Sequence, residues 1–259
     1  IKYSVNAGGK RIRPMLLISS CELLGGKIED CLNFACSMEM IHTYSLIHDD
    51  LPSMDNDDFR RGKPTNHKVY GESIAILAGD ALLNRAFEVM SNECISNFSI
   101  NYVKAQNEIS KASGLNGMIG GQVVDIISEN TEIDFKILQY IHKNKTAALI
   151  KASLVSGAIL AGAEQEVIEM ISEVGENLGI AFQIKDDILD VTSSQNVLGK
   201  PVNSDSKNGK NTYVSIFGIE KSIDDYNKIS NNIIETIEGR FGQDNLLYNI
   251  VNFLINRIN

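Results

Sequence analysis

The scarcity of proline constrains the fold of this chain most strongly. Only four prolines occur in 259 residues. They leave long uninterrupted segments whose apolar residues recur with the period of a helix. These segments are residues 14–24, 31–48, 73–90, 135–160, 166–191 and 222–241. Alternating runs of β-branched residues are scarce, so the pattern predicts an all-α bundle.

Composition and charge exclude several classes of protein. Apolar residues make up 43% of the chain, which is enough for a sizeable core, and the net charge of −9 argues against nucleic-acid binding. No apolar stretch reaches membrane-spanning length. The four cysteines form no C-x-x-C pair, so we predict reduced thiols in a cytoplasmic protein. Without a repeat or a linker, residues 1–259 are predicted to form one domain.

Two aspartate clusters carry the strongest functional signal. The first is Asp49-Asp50-Leu51-Pro52-Ser53-Met54-Asp55 and the second is Asp186-Asp187-Ile188-Leu189-Asp190, each at the end of a helix-like run. Asp186 and Asp190 are four positions apart, so both lie on one face of a helix. Like charges at this spacing are unfavourable unless a cation lies between them.

The first cluster needs a turn to bring its carboxylates together. Asp49 and Asp55 are six positions apart, which is about 240° around an unbroken helix. Pro52 should end the helix just before it, so the loop can fold Asp55 back. Two acidic clusters that end two inward-facing helices can then face each other across a cavity. Carboxylate oxygens suit Mg²⁺, and we predict Mg²⁺ held for a diphosphate.

Two basic segments complement the acidic clusters. Gly8-Gly9-Lys10-Arg11-Ile12-Arg13-Pro14 lies at a predicted helix entrance, and Arg60-Arg61-Gly62-Lys63-Pro64 follows the first cluster. Arg and Lys are the side chains that bind phosphate oxygens. The first segment is not a Walker loop, because the earlier Gly and the following Ser or Thr are missing. Beside a metal-binding cluster, both segments are predicted to bind phosphate.

A glycine-rich segment precedes two further polar residues. Residues 114–121 read Gly-Leu-Asn-Gly-Met-Ile-Gly-Gly, a composition that disfavours a helix. The segment is interpreted as a loop, as a close crossing of helices, or as room for a ligand beside Gln122 and Asp125. These two residues are three positions apart, so they share a face if a helix resumes there.

Histidine does not indicate a di-iron centre. Glu39-Met40-Ile41-His42 has the E-x-x-H spacing of di-iron bundles, but those proteins need two copies and no other His has Glu three positions before it. His42 precedes Asp49 by seven positions, about two helical turns. We therefore predict that His42 lies on the same inner face as the cluster.

Together these motifs resemble the trans-polyprenyl diphosphate synthases, most closely the bacterial farnesyl diphosphate synthases, over nearly the whole chain. The matching stretches also include residues 42–52, Gly120-Gly121-Gln122, Lys145-Thr146, residues 182–187 and Leu198-Gly199-Lys200. The resemblance implies a single-domain bundle of antiparallel helices around a central cavity, of the isoprenoid synthase type, that usually forms a homodimer. The resemblance also implies that the family's first helix is mostly missing here, and because the chain starts at Ile1 rather than Met we expect that the true N-terminus is absent.

The resemblance also implies roles for individual residues. Asp49, Asp55 and Asp186 would hold three Mg²⁺ ions, with support from Asp50, Asp125, Asp187 and Asp190. Isopentenyl diphosphate would be bound by Lys10, Arg13, His42 and Arg61. The allylic diphosphate would be bound by Arg60, Lys145, Thr146, Gln183, Lys200 and Lys210, with Gln122 beside them. By the same resemblance, the catalytic residues would be Asp49, Asp50, Asp55, Arg60, Lys145, Asp186 and Lys200.

The implied reaction is a dissociative condensation that needs no protein nucleophile. Metal ions and basic side chains stabilise the departing diphosphate, an allylic carbocation forms, and the isopentenyl double bond attacks it. Tyr44 lies five positions before Asp49, roughly 7.5 Å along a helix. By resemblance, Tyr44 with Ser45 would form the floor that stops growth at fifteen carbons. A core Tyr with a satisfied hydroxyl is the alternative interpretation.

Several other functions are less compatible with the motifs. A geranyl or geranylgeranyl diphosphate synthase would differ only in product length. A class I terpene cyclase would not require Lys10, Arg13 and His42 for a second diphosphate. A non-catalytic partner subunit would be expected to lose one aspartate cluster, and this chain keeps both. A calcium-binding EF-hand is excluded because the segment after Asp55 lacks the Gly and the closing Glu.

Overall fold

The computed structural model describes residues 1–192 and 211–257. The elements in chain order are α1 (Lys2–Val5), α2 (Ile12–Leu23), α3 (Ile28–Asp49), β1 (Phe59–Arg60), β2 (Lys63–Pro64), α4 (Asn66–Tyr70), α5 (Glu72–Asn97), α6 (Ile100–Ser113), α7 (Met118–Ile127), α8 (Phe135–Ile141), a π-helical turn (His142–Ala147), α9 (Ala148–Leu160), α10 (Gln165–Thr192), α11 (Tyr213–Phe217), α12 (Ile219–Phe241) and α13 (Leu246–Ile255). The all-α prediction is confirmed.

The predicted helical segments correspond to α2, α3, α5, α10 and α12, each with shifted ends. The exception is the segment predicted as one helix over residues 135–160. It is helical throughout, as predicted, but a π-helical turn that was not predicted lies between α8 and α9. The short antiparallel hairpin of β1 and β2 was not predicted. The sequence also indicates turns at residues 193–200 and 203–211, and of these residues only Asn211 lies in the part of the chain that the structure describes.

Side-chain caps explain where several helices begin. Ser99 accepts a hydrogen bond from the backbone N–H of Asn101 at the start of α6. Asp134 caps α8 in the same way, and Thr212 forms a capping box with Ser215 at α11. Such residues satisfy N–H groups that the first helical turn leaves without partners. The ends of these helices are therefore encoded locally.

The centre of the bundle is α9, which packs against α2, α6 and α10, while α3 packs along α5. One cluster of buried residues includes Phe34, Met38 and Ile41 of α3. A second cluster includes Leu154 of α9 and Leu178 of α10. This packing fixes the ends of α3 and α10, where the aspartate clusters lie. Within the described parts of the chain, no helix combines the length and apolar character needed to cross a bilayer.

Candidate active site

The loop after α3 returns Asp55 to the end of the helix. The backbone N–H of Asp55 donates to the carbonyl oxygen of Asp49 at 2.9 Å, and that of Asn56 donates to Leu51 at 3.1 Å. The helix ends at Asp49, three residues before Pro52. The predicted fold-back of the first cluster is therefore confirmed at the level of the backbone.

Asp49 is the most perturbed carboxylate of the first cluster. Burial raises its pKa to about 6; Lys145 opposes this shift and Asp55 adds to it. The side-chain amide of Gln122 donates to Asp49 Oδ1 at 3.0 Å. A buried carboxylate with an acidic neighbour favours a bound cation, because the cation offsets the cost of keeping both groups ionised.

The buried Asp50 forms an ion pair with the half-buried Arg60 beside it. Arg60 lies 2.6 Å from Asp50 Oδ1 and 3.2 Å from Asp57 Oδ2. Burial raises the pKa of Asp50 although Arg60 opposes the shift. Because its carboxylate is occupied by Arg60, Asp50 orients this guanidinium at the edge of the cluster.

Gly121 lies where α7 approaches the π-helical turn too closely for a side chain. A Cβ atom added at Gly121 would lie 2.2 Å from the backbone nitrogen of Lys145. Of the interpretations of residues 114–121, the close helix crossing is the one that Gly121 supports. The crossing brings Lys145 Nζ to 2.5 Å from Asp125 Oδ2. Gln122 and Asp125 do share one helix face, as predicted.

The π-helical turn sends two consecutive side chains to different helices. Lys145 contacts Asp125 of α7, whereas Thr146 Oγ1 donates to Gln183 Oε1 of α10 at 2.9 Å. Gln183 Nε2 in turn donates to Asp187 Oδ1 at 3.0 Å. Wide helical turns of this kind are frequently found at functional sites. Hydrogen bonds thus connect the second acidic cluster with the π-helical turn.

Asp187 is held from several sides and lines a polar cavity. It is 2% exposed, accepts from the backbone N–H of Tyr213 at 2.7 Å, and lies 3.7 Å from His142 Nε2. Burial lowers the pKa of His142 to about 4. The cavity has a volume of about 110 Å³ and is lined by Asp125, Ile141, His142, Lys145, Thr146, Gln183, Asp187, Asn211 and Thr212.

Asp186 has a partner that the sequence did not reveal. Arg257 lies 2.5 Å from Asp186 Oδ1 and 3.6 Å above the ring of Phe182. The side chain of Asp186 is 42% exposed, whereas Asp190, on the next turn, is 2% exposed when the whole residue is counted. The two carboxylates share a helix face but lie at different depths. Arg257 is a single basic residue beyond α13, and nothing in its surrounding sequence indicates a site.

Two of the residues predicted to bind isopentenyl diphosphate, Arg13 and His42, lie close together. Arg13 NH1 lies 3.3 Å from His42 Nε2. Burial lowers the pKa of Arg13 to about 10, and burial together with Arg13 keeps the pKa of His42 well below its ordinary value. Arg61 donates to the carbonyl oxygen of Gly8. Burial lowers the pKa of Lys10; the charge of Arg257 adds to this shift and that of Asp186 opposes it.

Tyr44 and Ser45 lie on α3, one to two turns before Asp49. Tyr44 is buried, contacts the His48 ring edge-on at 5.7 Å between centroids, and its hydroxyl has no hydrogen-bond partner among the described residues. Tyr44 thus belongs to the buried core, as the alternative interpretation has it, but no described residue satisfies its hydroxyl. Ser45 donates to the carbonyl oxygen of His42 at 2.9 Å. The predicted ligands Lys200 and Lys210 lie outside the described residues.

The acidic residues fit a magnesium ion that is completed by a substrate. Within the described residues, no three His, Cys, Asp or Glu side chains come close enough to form a metal site on their own. Mg²⁺ commonly takes one or two protein carboxylates, keeps several waters and binds substrate phosphates. Asp49 supplies a buried carboxylate, and Asp55 returns to the same helix end. This donor set suits Mg²⁺ bound together with a diphosphate.

Comparison with known proteins gives one consistent family. Residues 1–250 match the family model described as polyprenyl synthetase. The chain is 45% identical to a geranylgeranyl diphosphate synthase of Cyanophora paradoxa over 260 residues, covering 100% of this chain and 87% of that protein. It is 51% identical over 225 residues to a farnesyl diphosphate synthase of Micrococcus luteus, covering 86% of this chain and 76% of that protein.

Further relatives include a plant protein and a solved structure. The chain is 51% identical to a chloroplastic heterodimeric geranylgeranyl pyrophosphate synthase large subunit of Arabidopsis thaliana; the match covers 86% of this chain and 61% of that protein. The Helicobacter pylori geranyltransferase, solved with magnesium and isoprenyl diphosphate, is 35% identical with a TM-score of 0.85. That match covers 98% of this chain and 84% of the solved chain.

Proposed function

The chain belongs to the polyprenyl synthetase family, and from this premise we propose that it is a prenyltransferase that makes farnesyl diphosphate. It condenses isopentenyl diphosphate with an allylic diphosphate, first dimethylallyl and then geranyl, and depends on Mg²⁺. The observation that carries this proposal is the polar network around Lys145. Lys145 influences Asp49 of the first cluster, and hydrogen bonds of the neighbouring Thr146 lead through Gln183 to Asp187 of the second; these links support the proposal that both clusters act on one diphosphate.

Each group in this network has a defined task in the proposed reaction. Lys145 and Arg60 bind the allylic diphosphate and neutralise the charge that develops as it departs, which is the largest contribution that such sites make. Thr146 and Gln183, which are hydrogen-bonded to each other, orient it. Bound Mg²⁺ supplies Lewis-acid stabilisation of the same leaving group. The carboxylates of Asp49, Asp55 and Asp186 would provide its protein oxygen ligands.

Arg13, His42, Lys10 and Arg61 place the second substrate. They hold the diphosphate of isopentenyl diphosphate so that its double bond faces the carbon that becomes cationic. Arg13 and Arg61 carry the positive charge, whereas the low pKa of His42 leaves a neutral imidazole beside Arg13. Buried apolar side chains near Tyr44 exclude water, which would otherwise quench the carbocation.

Tyr44 supports the farnesyl product. Tyr44 is a buried aromatic residue five positions before Asp49, and in the proposed function its ring stops a product chain that grows along α3. Geranylgeranyl diphosphate is the second candidate, because relatives that are 45% and 51% identical are named as geranylgeranyl diphosphate synthases. Product length therefore has to be measured.

We also propose that the domain of residues 1–259 works as a homodimer. Ile74, Leu77 and Ala81 form an exposed stripe on α5, and Leu77 is 61% exposed. The spacing of three and four residues places them on one helix face. An apolar stripe of this kind suits burial against a second copy. The predicted cytoplasmic location stays a prediction, and one relative is named as a chloroplastic protein.

The test is incubation of the purified protein with isopentenyl diphosphate and each allylic primer, with Mg²⁺ or with EDTA. We expect diphosphate release and, after phosphatase treatment, a C15 alcohol, both only in the presence of Mg²⁺. A C20 alcohol would select the geranylgeranyl alternative. Cyclic hydrocarbon products, or turnover that EDTA does not change, would contradict the proposal.

A further inference from the structure

Glu39 is a buried carboxylate in the basic part of the site. It lies three residues before His42 on α3, and its side chain is 13% exposed. Its charge raises the pKa values of Arg13 and Arg61, opposing the effect of burial. Both arginines therefore lie within reach of its electrostatic field. None of the roles described above uses Glu39.

The partner of Glu39 is Arg11, the one basic residue of residues 8–14 without a role in substrate binding. The Arg11 guanidinium donates to Glu39 Oε1 and to the carbonyl oxygen of Val5. It thereby joins α3, α1 and the start of α2. Lys10, in contrast, is exposed and lies near Asp186. Consecutive residues thus point to different parts of the molecule.

The backbone at Arg11 shows why such an anchor is needed. Arg11 is the N-cap of α2 and has φ 52° and ψ 37°, in the left-handed region. Residues other than glycine rarely adopt this conformation, and it persists only where surrounding contacts enforce it. The two hydrogen bonds of the Arg11 guanidinium are such contacts. Both bonds act where the chain enters α2, two positions before Arg13.

We propose that the Glu39–Arg11 ion pair is a positioning device for isopentenyl diphosphate. It fixes residues 8–14 so that Lys10 and Arg13 face the diphosphate of that substrate. This inference rests on the proposed function. It concerns one of the two substrates, because the allylic diphosphate residues Lys145, Thr146 and Gln183 belong to other helices.

A Glu39 carboxylate without a partner would hinder binding instead, because its negative charge would repel the incoming diphosphate. The direct ion pair with Arg11 offsets most of that charge. The second oxygen, Glu39 Oε2, is buried and accepts no hydrogen bond within the described residues. A glutamine at this position would place either its NH₂ group against the Arg11 guanidinium or the same group at the buried position of Oε2. In the first orientation two donors would face each other; in the second the Arg11 hydrogen bond would lose the carboxylate charge, and the buried NH₂ group would have no acceptor among the described residues.

The test is calorimetric titration of the full chain with isopentenyl diphosphate alone, where no reaction can occur. Glu39→Gln and Arg11→Lys should each raise the Kd for isopentenyl diphosphate about tenfold, because a lysine cannot bond both Glu39 and Val5. The double variant should bind isopentenyl diphosphate at most about twofold more weakly than either single variant, since both substitutions remove the same ion pair. Geranyl diphosphate should bind each variant within twofold of the wild type. In steady state, KM for isopentenyl diphosphate should rise while kcat stays within about threefold.

Glu88→Gln is the matched control, because Glu88 forms an exposed ion pair with Arg85 on α5. It should change neither affinity. Unchanged or tighter binding of isopentenyl diphosphate by Glu39→Gln, equal losses for both substrates, or effects that multiply in the double variant would overturn the inference. If Glu39→Gln does not fold, Arg11→Lys decides by the same criteria. Failure of the wild type to bind isopentenyl diphosphate would instead reject the proposed function.

Discussion

Single residues show how similar motifs acquire different surroundings. Asp49 is buried beside Gln122, and its pKa is raised to about 6. Asp186 is 42% exposed and is neutralised by Arg257. The two clusters have similar sequences, yet Asp49 accepts a hydrogen bond from the neutral amide of Gln122, whereas Asp186 is paired with the cationic Arg257.

The raised pKa of Asp49 predicts a pH dependence of stability in the metal-free protein. The folded state favours the protonated carboxyl of Asp49. The stability that this group contributes is fully present below pH 3.8 and is lost as the pH rises through about 6. Asp49→Asn should raise the free energy of unfolding by about 2 kcal/mol at pH 7.5, after discounting for solvent screening, and hardly change it at pH 4. Urea unfolding in EDTA at both pH values measures this.

The control for this prediction is Asp244→Asn, at an exposed position outside the helices. It should shift the free energy of unfolding by less than about 0.5 kcal/mol at either pH. A loss of stability at pH 7.5 in Asp49→Asn would contradict the assigned effect of burial.

Tyr44→Ala should lengthen the product. The substitution removes a buried ring on α3 whose hydroxyl forms no hydrogen bond within the described residues, so space opens along the helix. Product chromatography should show C20 or longer alcohols as the main products. Tyr44→Phe, which keeps the ring, should still give C15. An unchanged C15 product from Tyr44→Ala would remove Tyr44 from chain-length control.

The residue-scale predictions succeeded where the cause was local. Pro52 follows Asp49 closely enough for its effect on the helix to be read from the sequence, and Asp55 folds back as predicted. The contacts of Asp186 with Arg257 and of Glu39 with Arg11 join positions 71 and 28 residues apart. Such pairs depend on tertiary packing, which a single sequence does not reveal.

At the scale of elements, the π-helical turn between α8 and α9 is the least regular part of the bundle core. The sequence of residues 135–160 has continuous helical periodicity, and periodicity does not distinguish an α-helix from one that contains a wide turn. The turn directs Lys145 to α7 and Thr146 to α10. The departure from regular helix therefore occurs at predicted substrate-binding residues, where local rules are often broken.

Gly121→Ala should disturb this arrangement. Its Cβ would lie 2.2 Å from Lys145 N, so α7 must move away from the π-helical turn. We expect a loss of about 2–3 kcal/mol in the free energy of unfolding and weaker binding of geranyl diphosphate. Chemical denaturation and calorimetry measure the two effects.

The matched control is Gly239→Ala, at an exposed position of α12 where an added Cβ meets nothing within 4 Å. It should stabilise the protein by about 0.5–1 kcal/mol through helix propensity and leave binding unchanged. Full stability and affinity in Gly121→Ala would show that the helix crossing tolerates a side chain.

At the scale of the whole molecule, the packing of α9 against α2, α6 and α10 brings distant motifs to one region. The fold class was predictable from helical periodicity, and the motifs of the resemblance named most of the proposed site. The order of contacts between helices was not predictable, because several arrangements bury the same apolar faces.

The proposed homodimer makes a prediction for the α5 stripe. Leu77→Asp places a charge in the interface, so sedimentation should shift from dimer to monomer at micromolar concentration. Ile223→Asp, which substitutes an exposed apolar residue of α12, should leave the dimer intact. A wild type that sediments as a monomer at this concentration would contradict the proposed dimer, and an unchanged dimer in Leu77→Asp would place its interface elsewhere.

The most direct measurement of the central claim is calorimetric binding of geranyl diphosphate by the wild type, Asp49→Asn, Asp186→Asn and the double variant, in Mg²⁺ and in EDTA. If both aspartate clusters hold one metal–diphosphate assembly, EDTA should weaken wild-type binding at least about 100-fold. Each single variant should then lose most of this metal dependence, and the double variant should lose little more. Equal affinity in Mg²⁺ and EDTA, or losses that multiply in the double variant, would show that the clusters act separately.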